Sequence, residues 1–383
     1  MKQVTFDTDK DFVGIDCLAL PEKFSGAAYY IYHLTRNLLE TSRNYPLSII
    51  CKPQHQRLFR DLLGKKDKIL PVPLKNRADQ LFFYEFRLKR ILLKERIKIF
   101  YATHYICPPP DERYRLISTF HDMGFLLYPR YYPLIKRLYF GRRMKTFLKR
   151  SDFVVAVSQS TADSITKLFP QHSPKIKVIC PGADHLTGER TCSLLKPAVE
   201  SPFILAVNTF EVRKNIPFII RVFNSLKTKA NLPHKLLLIG HPANGYPKIM
   251  AEIKRSPFRK EIVILNSLSS TELSYYYRTC DFFISASEYE GFGFTPFEAL
   301  SHNCPVFLYK NNTVAEFLRD HPYIFNHLDA EAWADFIGNE LLNSFKQKMN
   351  REVIRHLSWS NTATETFKLL DTLVSAKDVC LAS

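Results

Sequence analysis

Short apolar runs alternate along this chain with longer stretches in which apolar residues recur every three or four positions. The first kind predicts buried strands and the second predicts helices packed on them. In the front half the strands fall at Phe12–Leu18, Pro46–Cys51, Lys98–Ala102, Leu116–Phe120, Phe153–Val157 and Ile176–Ile179. Helices are expected from Ala27 to Leu39 and over Gln80–Glu95. The pattern lapses between Asp184 and Pro202 into Thr-Gly-Glu-Arg-Thr-Cys-Ser and Lys-Pro-Ala-Val-Glu-Ser-Pro, which reads as a linker. It restarts with strands at Phe203–Val207, Lys235–Ile239, Ile262–Leu265, Phe282–Ser285 and Pro305–Tyr309. Helices are expected at Pro217–Lys229, Ala243–Ile253, Ser270–Arg278 and Pro296–Ser301. Such alternation predicts an α/β chain of two doubly wound parallel sheets, each covered by helices, facing each other across a cleft. The expected boundaries are 1–190, 200–360 and a C-terminal helix within 361–383.

Length agrees with two domains, since 383 residues exceed one ordinary core. The eight cysteines include no CxxC pair, so neither a zinc site nor a disulfide framework is signalled. No stretch approaches eighteen apolar residues and the first ten lack a signal-peptide pattern, which leads us to expect a cytoplasmic chain, with the inner face of the cell membrane as its other station. Charge changes the picture more. The formal net charge is +17, and residues 51–150 alone hold 24 Lys and Arg against 8 Asp and Glu, or +16. The densest runs, Arg87–Lys94 and Arg142–Arg150, have helical periodicity. A solvated helix face explains such runs, and so does attraction to anionic lipid or to an anionic acceptor. Nothing in the chain resembles a nucleic-acid-binding motif.

The candidate chemistry sits at predicted strand ends, where open parallel sheets bind ligands. After the strand ending at Ser285 comes Glu290-Gly-Phe-Gly-Phe-Thr-Pro-Phe-Glu298. Its glycines and the following helix start suit a phosphorylated sugar, with the amides of Gly291, Phe292, Gly293, Phe294 and Thr295 free to donate. A capping box from Thr295 to Glu298, with Pro296 at the first helical position, explains part of the same pattern. It leaves Glu290 without a task or an evident cationic partner. At the end of another strand stands Asn208-Thr-Phe-Glu-Val-Arg-Lys-Asn215, where Arg213 and Lys214 suit a diphosphate leaving group and Asn208 a donor contact. In the front half His121 closes the strand Leu116–Phe120, and Gly26 follows the first strand. Each also fits a structural role, as a rim histidine or a simple turn. Glu316, at capping spacing from Asn312, is expected to cap. No metal-ligand cluster and no P-loop is present in the sequence, so the expected chemistry is metal-independent and needs no cofactor.

These segments resemble the family 4 retaining glycosyltransferases of GT-B architecture, through their E-x7-E pattern (Glu290 to Glu298). The resemblance runs over nearly the whole chain. It includes Val13–Asp16 with the Ser25-Gly-Ala-Ala loop, Phe120-His-Asp122, Val155–Gln159, Ile179–Asp184, Phe210–Asn215, Ser287–Ala299 and Leu357–Asn361. It implies a nucleotide-sugar donor held mainly by the back domain, Glu290 near the sugar and Glu298 on the ribose. Lys214 and Arg213 would clamp the diphosphate, and His121 would lie near the sugar. The final helix would return to the first domain. It implies transfer with retained configuration, the leaving phosphate helping to deprotonate the acceptor. The opening segment looks most like members handling mannose, and the acceptor would be a glycan or a lipid-linked glycan. Two departures stand out. An arginine common a few residues before the clamp lysine is absent near Thr209, which shifts phosphate binding onto Arg213, and Ala28 stands where a second glycine is common. The competing reading is a catalytically silent scaffold of the same fold that holds anionic lipid or polymer on its basic front domain.

Overall fold

The computed structural model describes residues 4–22, 26–132, 134–186, 199, 202–266, 268–319, 321, 323–342 and 352–375. Residues 23–25 of the front loop, most of the expected linker and the end of the chain lie outside that set. Two units are present: Met1–Gly182 with Ser358–Ser383, and Ala183–Leu357.

The first unit is built on seven parallel strands: β1 (Phe12–Asp16), β2 (Leu47–Cys51), β3 (Lys68–Pro71), β4 (Ile97–Ala102), β5 (Arg115–Phe120), β6 (Phe153–Ala156) and β7 (Ile176–Val178), in the order 3-2-1-4-5-6-7. β2 and β5 are buried at every position, as expected of a sheet with helices on both faces. Only β3, a half-exposed edge strand beginning with a lysine, escapes the sequence pattern. The basic helix predicted at Gln80–Glu95 runs from Arg77 to Lys94 and widens to i→i+5 bonding over Phe83–Arg87. Phe83 and Tyr84, successive in sequence, are both buried there. The last described helix, Trp359–Val374, belongs to this unit. Ser358 caps it, Trp359 stacks on His33, and Thr362 donates to the Cys180 carbonyl.

The second unit carries six parallel strands: β8 (Phe203–Val207), β9 (Lys235–Ile239), β10 (Ile262–Leu265), β11 (Phe282–Ser285), β12 (Val306–Tyr309) and β13 (Ile324–Phe325), in the order 10-9-8-11-12-13. The helix Ile216–Ala230 packs Phe218, Ile219, Val222, Phe223 and Leu226 into the core on this sheet. In both sheets the strand order reverses beside the first strand, between β1 and β4 and again between β8 and β11. Those reversals open a crevice at the strands' carboxyl ends.

Candidate active site

In the second unit three successive sheet positions deliver polar side chains to the crevice end. From β8 the chain turns through Glu211, Arg213 and Lys214 before entering the helix at Ile216. Asn215 makes that turn at φ 50°, a left-handed conformation asparagine tolerates. From β11 come Ser287 and Glu290, and from β12 come Asn311 and Asn312. The Glu288 amide donates to the Arg213 carbonyl at 2.9 Å and joins the first two loops.

Glu290 is the centre of this group. One carboxylate oxygen accepts from the buried Lys214 ammonium and from the Ser287 hydroxyl at 2.6 Å. The other accepts from Arg213 at 2.8 Å. Arg213 also donates to Glu211 and to the Tyr289 carbonyl, each at 2.7 Å. Glu290 therefore has two cationic partners that its sequence neighbourhood did not show. Burial works to raise its carboxyl. Lys214 and Arg213 outweigh burial, with Lys214 and Ser287 donating to the charged form, and hold it at about 2. Burial likewise draws the Lys214 ammonium below the ordinary lysine range, against the pull of Glu290. Asn312 grips the Glu290 backbone from both sides, its side chain accepting from the amide at 3.0 Å and donating to the carbonyl at 2.5 Å.

The turn beyond Glu290 departs from the expected capping box. The helix begins at Phe294, two residues earlier than predicted, and Gly293 is its N-cap at φ 80°. A Cβ at Gly293 would sit 3.1 Å from Glu290 Cγ, so this glycine is required by both its backbone and its neighbour. Thr295 makes no capping bond, and Pro296 occupies the third helical position, still within the first turn where proline is tolerated. Phe292 is buried against Phe294, Phe297 and Phe317, leaving only its backbone to serve a ligand. Glu298 is buried, with Tyr277 donating to it at 2.8 Å and His185 Nε2 3.0 Å away. The helix after β12 is capped by Asn311, which accepts from the amides of Thr313 and Val314, rather than by the Asn312–Glu316 pair. Asn208, at the end of β8, is 4% exposed, and neither polar atom of its carboxamide has a protein partner.

The first unit holds His121 and Gly26. His121 follows β5 and donates from Nε2 to the Thr103 carbonyl at 2.9 Å, which leaves the Nδ1 lone pair as an acceptor. Burial lowers its pKa to about 4 despite that bond, so the ring is neutral at physiological pH. Gly26 takes φ 49° at the start of the helix Ala27–Glu40, and a side chain there would meet no atom within 4 Å. Conformation, not crowding, selects glycine.

Several partners were not singled out in the sequence. Glu211 and Ser287 lie only two and three positions from Arg213 and Glu290, whereas Asn312, 22 positions from Glu290, meets it only through folding. His185 was visible only as the residue after Pro181-Gly-Ala-Asp184. A further cluster in the first unit joins Asp16 with Tyr84 and His104, drawn from β1, the widened helix and the loop after β4.

The comparisons with known proteins agree with this architecture. The model described as Glycosyltransferase Family 4 matches residues 24–185, and the one described as Glycosyl transferases group 1 matches 195–355. Between them they span most of the chain. O-antigen chain mannosyltransferase B of Escherichia coli is 24% identical over 281 residues, covering 68% of this chain and 72% of that protein. O-antigen chain mannosyltransferase RfbU of Salmonella typhimurium is 26% identical over 323 residues, covering 81% and 86%. Among solved structures, sucrose-phosphate synthase from Thermosynechococcus elongatus matches with a TM-score of 0.71 at 15% identity, covering 96% of this chain and all of that one. Anabaena HepE in complex with UDP-glucose matches at 0.67 and 14%, covering 94% and 99%. At such identities these structures speak for the fold alone. The chain belongs to the family 4 glycosyltransferases of GT-B architecture and is a hexosyltransferase.

Proposed function

We propose that this enzyme moves a hexose, mannose by the names of its relatives, from a nucleotide-diphosphate sugar to a glycan or lipid-linked glycan of the O-antigen kind. Configuration is retained and no metal is needed. The observation that carries this reading is the convergence of Arg213 and Lys214 on Glu290 at the reversal between β8 and β11. Two cations beside a glycine turn and a helix start can hold a diphosphate and stabilise the charge that builds as the sugar's C1–O bond breaks. The acceptor oxygen bonds to C1 from the same face, and its proton passes to the departing phosphate oxygen. Glu290 accepts from sugar hydroxyls, Glu298 takes the ribose, and the amides of Gly291 to Thr295 meet sugar and phosphate. Asn208 offers its unpaired carboxamide to the donor. His121, neutral, accepts a sugar hydroxyl at Nδ1, and Gly26 lets the backbone come close. The positive charge that a metal would otherwise supply comes from Arg213 and Lys214.

The acceptor reading extends to the basic front unit, which we assign to an anionic membrane surface at the cytoplasmic face. Phe82 and Phe86 are 53% and 61% exposed and pack on each other, and Leu134 and Leu138 are exposed one turn apart. Exposed Arg90 and Arg142 continue these two lines one further turn along each helix. Apolar side chains followed by cations on one helix face suit a lipid interface. Among the described residues no helix is long and apolar enough to cross a membrane.

The deciding experiment is transfer and donor binding with UDP-, GDP-, ADP- and dTDP-sugars in the presence of EDTA. Turnover of one donor that survives EDTA and falls in Lys214→Ala and Glu290→Ala is expected. Unchanged donor binding in both variants would overturn the site.

A further inference from the structure

The two cations assigned to the diphosphate are already taken. Lys214 donates to Glu290, and Arg213 is shared between Glu290 at 2.8 Å and Glu211 at 2.7 Å. Glu290 is 8% exposed and Lys214 9%, so water screens their attraction little. Ser287 and Asn312 fix the carboxylate and its peptide in place. A diphosphate entering this site has to displace Glu290 from one or both cations, and it then stands beside a buried carboxylate of its own sign. A charge so placed is tolerated only if something else satisfies it. The sugar of an intact donor does this, since its hydroxyls can donate to the released carboxylate. The product nucleoside diphosphate cannot, because the sugar has gone.

Resting on the clamp assignment above, we infer that Glu290 acts as an internal competitor for Arg213 and Lys214 and expels the nucleoside diphosphate once the sugar has left. The same carboxylate favours the donor and disfavours the product, so its second role lies in product release. The inference predicts an outcome opposite in sign to simple loss of a binding residue. Removing the charge of Glu290 weakens the hold on the sugar but strengthens the hold on a bare diphosphate.

Inorganic pyrophosphate probes this directly because it needs no knowledge of the base. Calorimetric titration of the full chain is expected to show Glu290→Gln binding pyrophosphate about tenfold more tightly than wild type, a change equivalent to about 1.4 kcal/mol. Lys214→Ala is expected to bind it more weakly. Glu290→Asp, whose shorter side chain draws the charge back from Lys214, should tighten binding by a smaller factor and serves if the glutamine variant folds poorly. Equal or weaker binding in Glu290→Gln and Glu290→Asp, with Lys214→Ala still weakened, overturns the inference and leaves the clamp standing. Binding that is indifferent to Lys214→Ala overturns the clamp and the inference with it.

Discussion

The two crevice ends share a topology and differ in chemistry. Between β8 and β11 the polar groups are a carboxylate facing two cations and a carboxamide with no protein partner. Between β1 and β4 a buried carboxyl is enclosed instead. Asp16 is 0% exposed and accepts from the Leu18 amide at 3.0 Å and from Tyr84, with His104 Nε2 3.2 Å away. His104 Nδ1 accepts from the Ile106 amide, so the ring's proton lies on Nε2 and points at Asp16 and Tyr84. Every partner in that second cluster is internal. The same fold position thus holds a carboxylate paired with two cations in one unit and a polar knot of a carboxylate, a phenol and an imidazole in the other. Sheet topology marks where a site can be, and side-chain partners decide whether it is one.

That contrast can be broken most severely at the clamp. Lys214→Ala should lower transfer by about 10²–10³-fold, in line with loss of a charge that stabilises a leaving group, and should lower the melting temperature as well, because the buried Glu290 carboxylate loses one of its two cationic partners. A variant that keeps wild-type turnover would remove the distinction between the two crevices. Asp16→Ala should cost stability and spare the ligand. It takes the acceptor from the Tyr84 hydroxyl proton and the Leu18 amide in the interior and should cost about 2–4 kcal/mol of stability, read by denaturant unfolding, with pyrophosphate affinity unchanged. Gly293→Ala should affect both properties, because φ 80° disfavours any side chain and the new methyl meets Glu290. A loss of about 1–2 kcal/mol is expected, with weaker donor binding.

The pH response separates the units more finely. His121 has its pKa lowered from 6.5 to about 4, so the unfolded chain takes up a proton there before the folded one does. Its contribution is complete above 6.5 and is lost as the pH falls toward 4. Glu290, lowered from 4.5 to about 2, contributes fully above 4.5 and loses that contribution only below it. Stability measured from pH 7 to pH 5 should therefore fall less steeply in His121→Asn than in wild type, and Glu290→Gln should leave that slope unchanged. The smallest effect expected is at the surface: Phe82→Ser with Phe86→Ser should reduce sedimentation with anionic vesicles several-fold, without altering pyrophosphate affinity. Equal binding by the double variant would remove the lipid assignment.

Much of this was legible in the chain. Strands β8, β9, β10 and β11 fall where their apolar runs lie, and in β8 and β11 the run reflects burial of every position. The strands that escaped, β3 and β13, are short and part-exposed, so they lack that constraint. Glu290, Arg213 and Lys214 could each be picked out as polar residues at strand ends. Their pairing could not, since 76 or 77 positions separate the partners and only the neighbouring of β8 and β11 closes that gap. The capping box at Thr295–Glu298 misled because local spacing competes with tertiary partners. Gly293 supplied the helix start, and Tyr277 and His185 lie against the Glu298 carboxylate.

By itself the sequence determined the two α/β units, the family and the residues at the strand ends, because burial and turn chemistry are local and periodic. Only the tertiary structure decided which charges face one another. Electrostatic contact depends on a few ångströms of space, and those are set by strand order, not by distance along the chain.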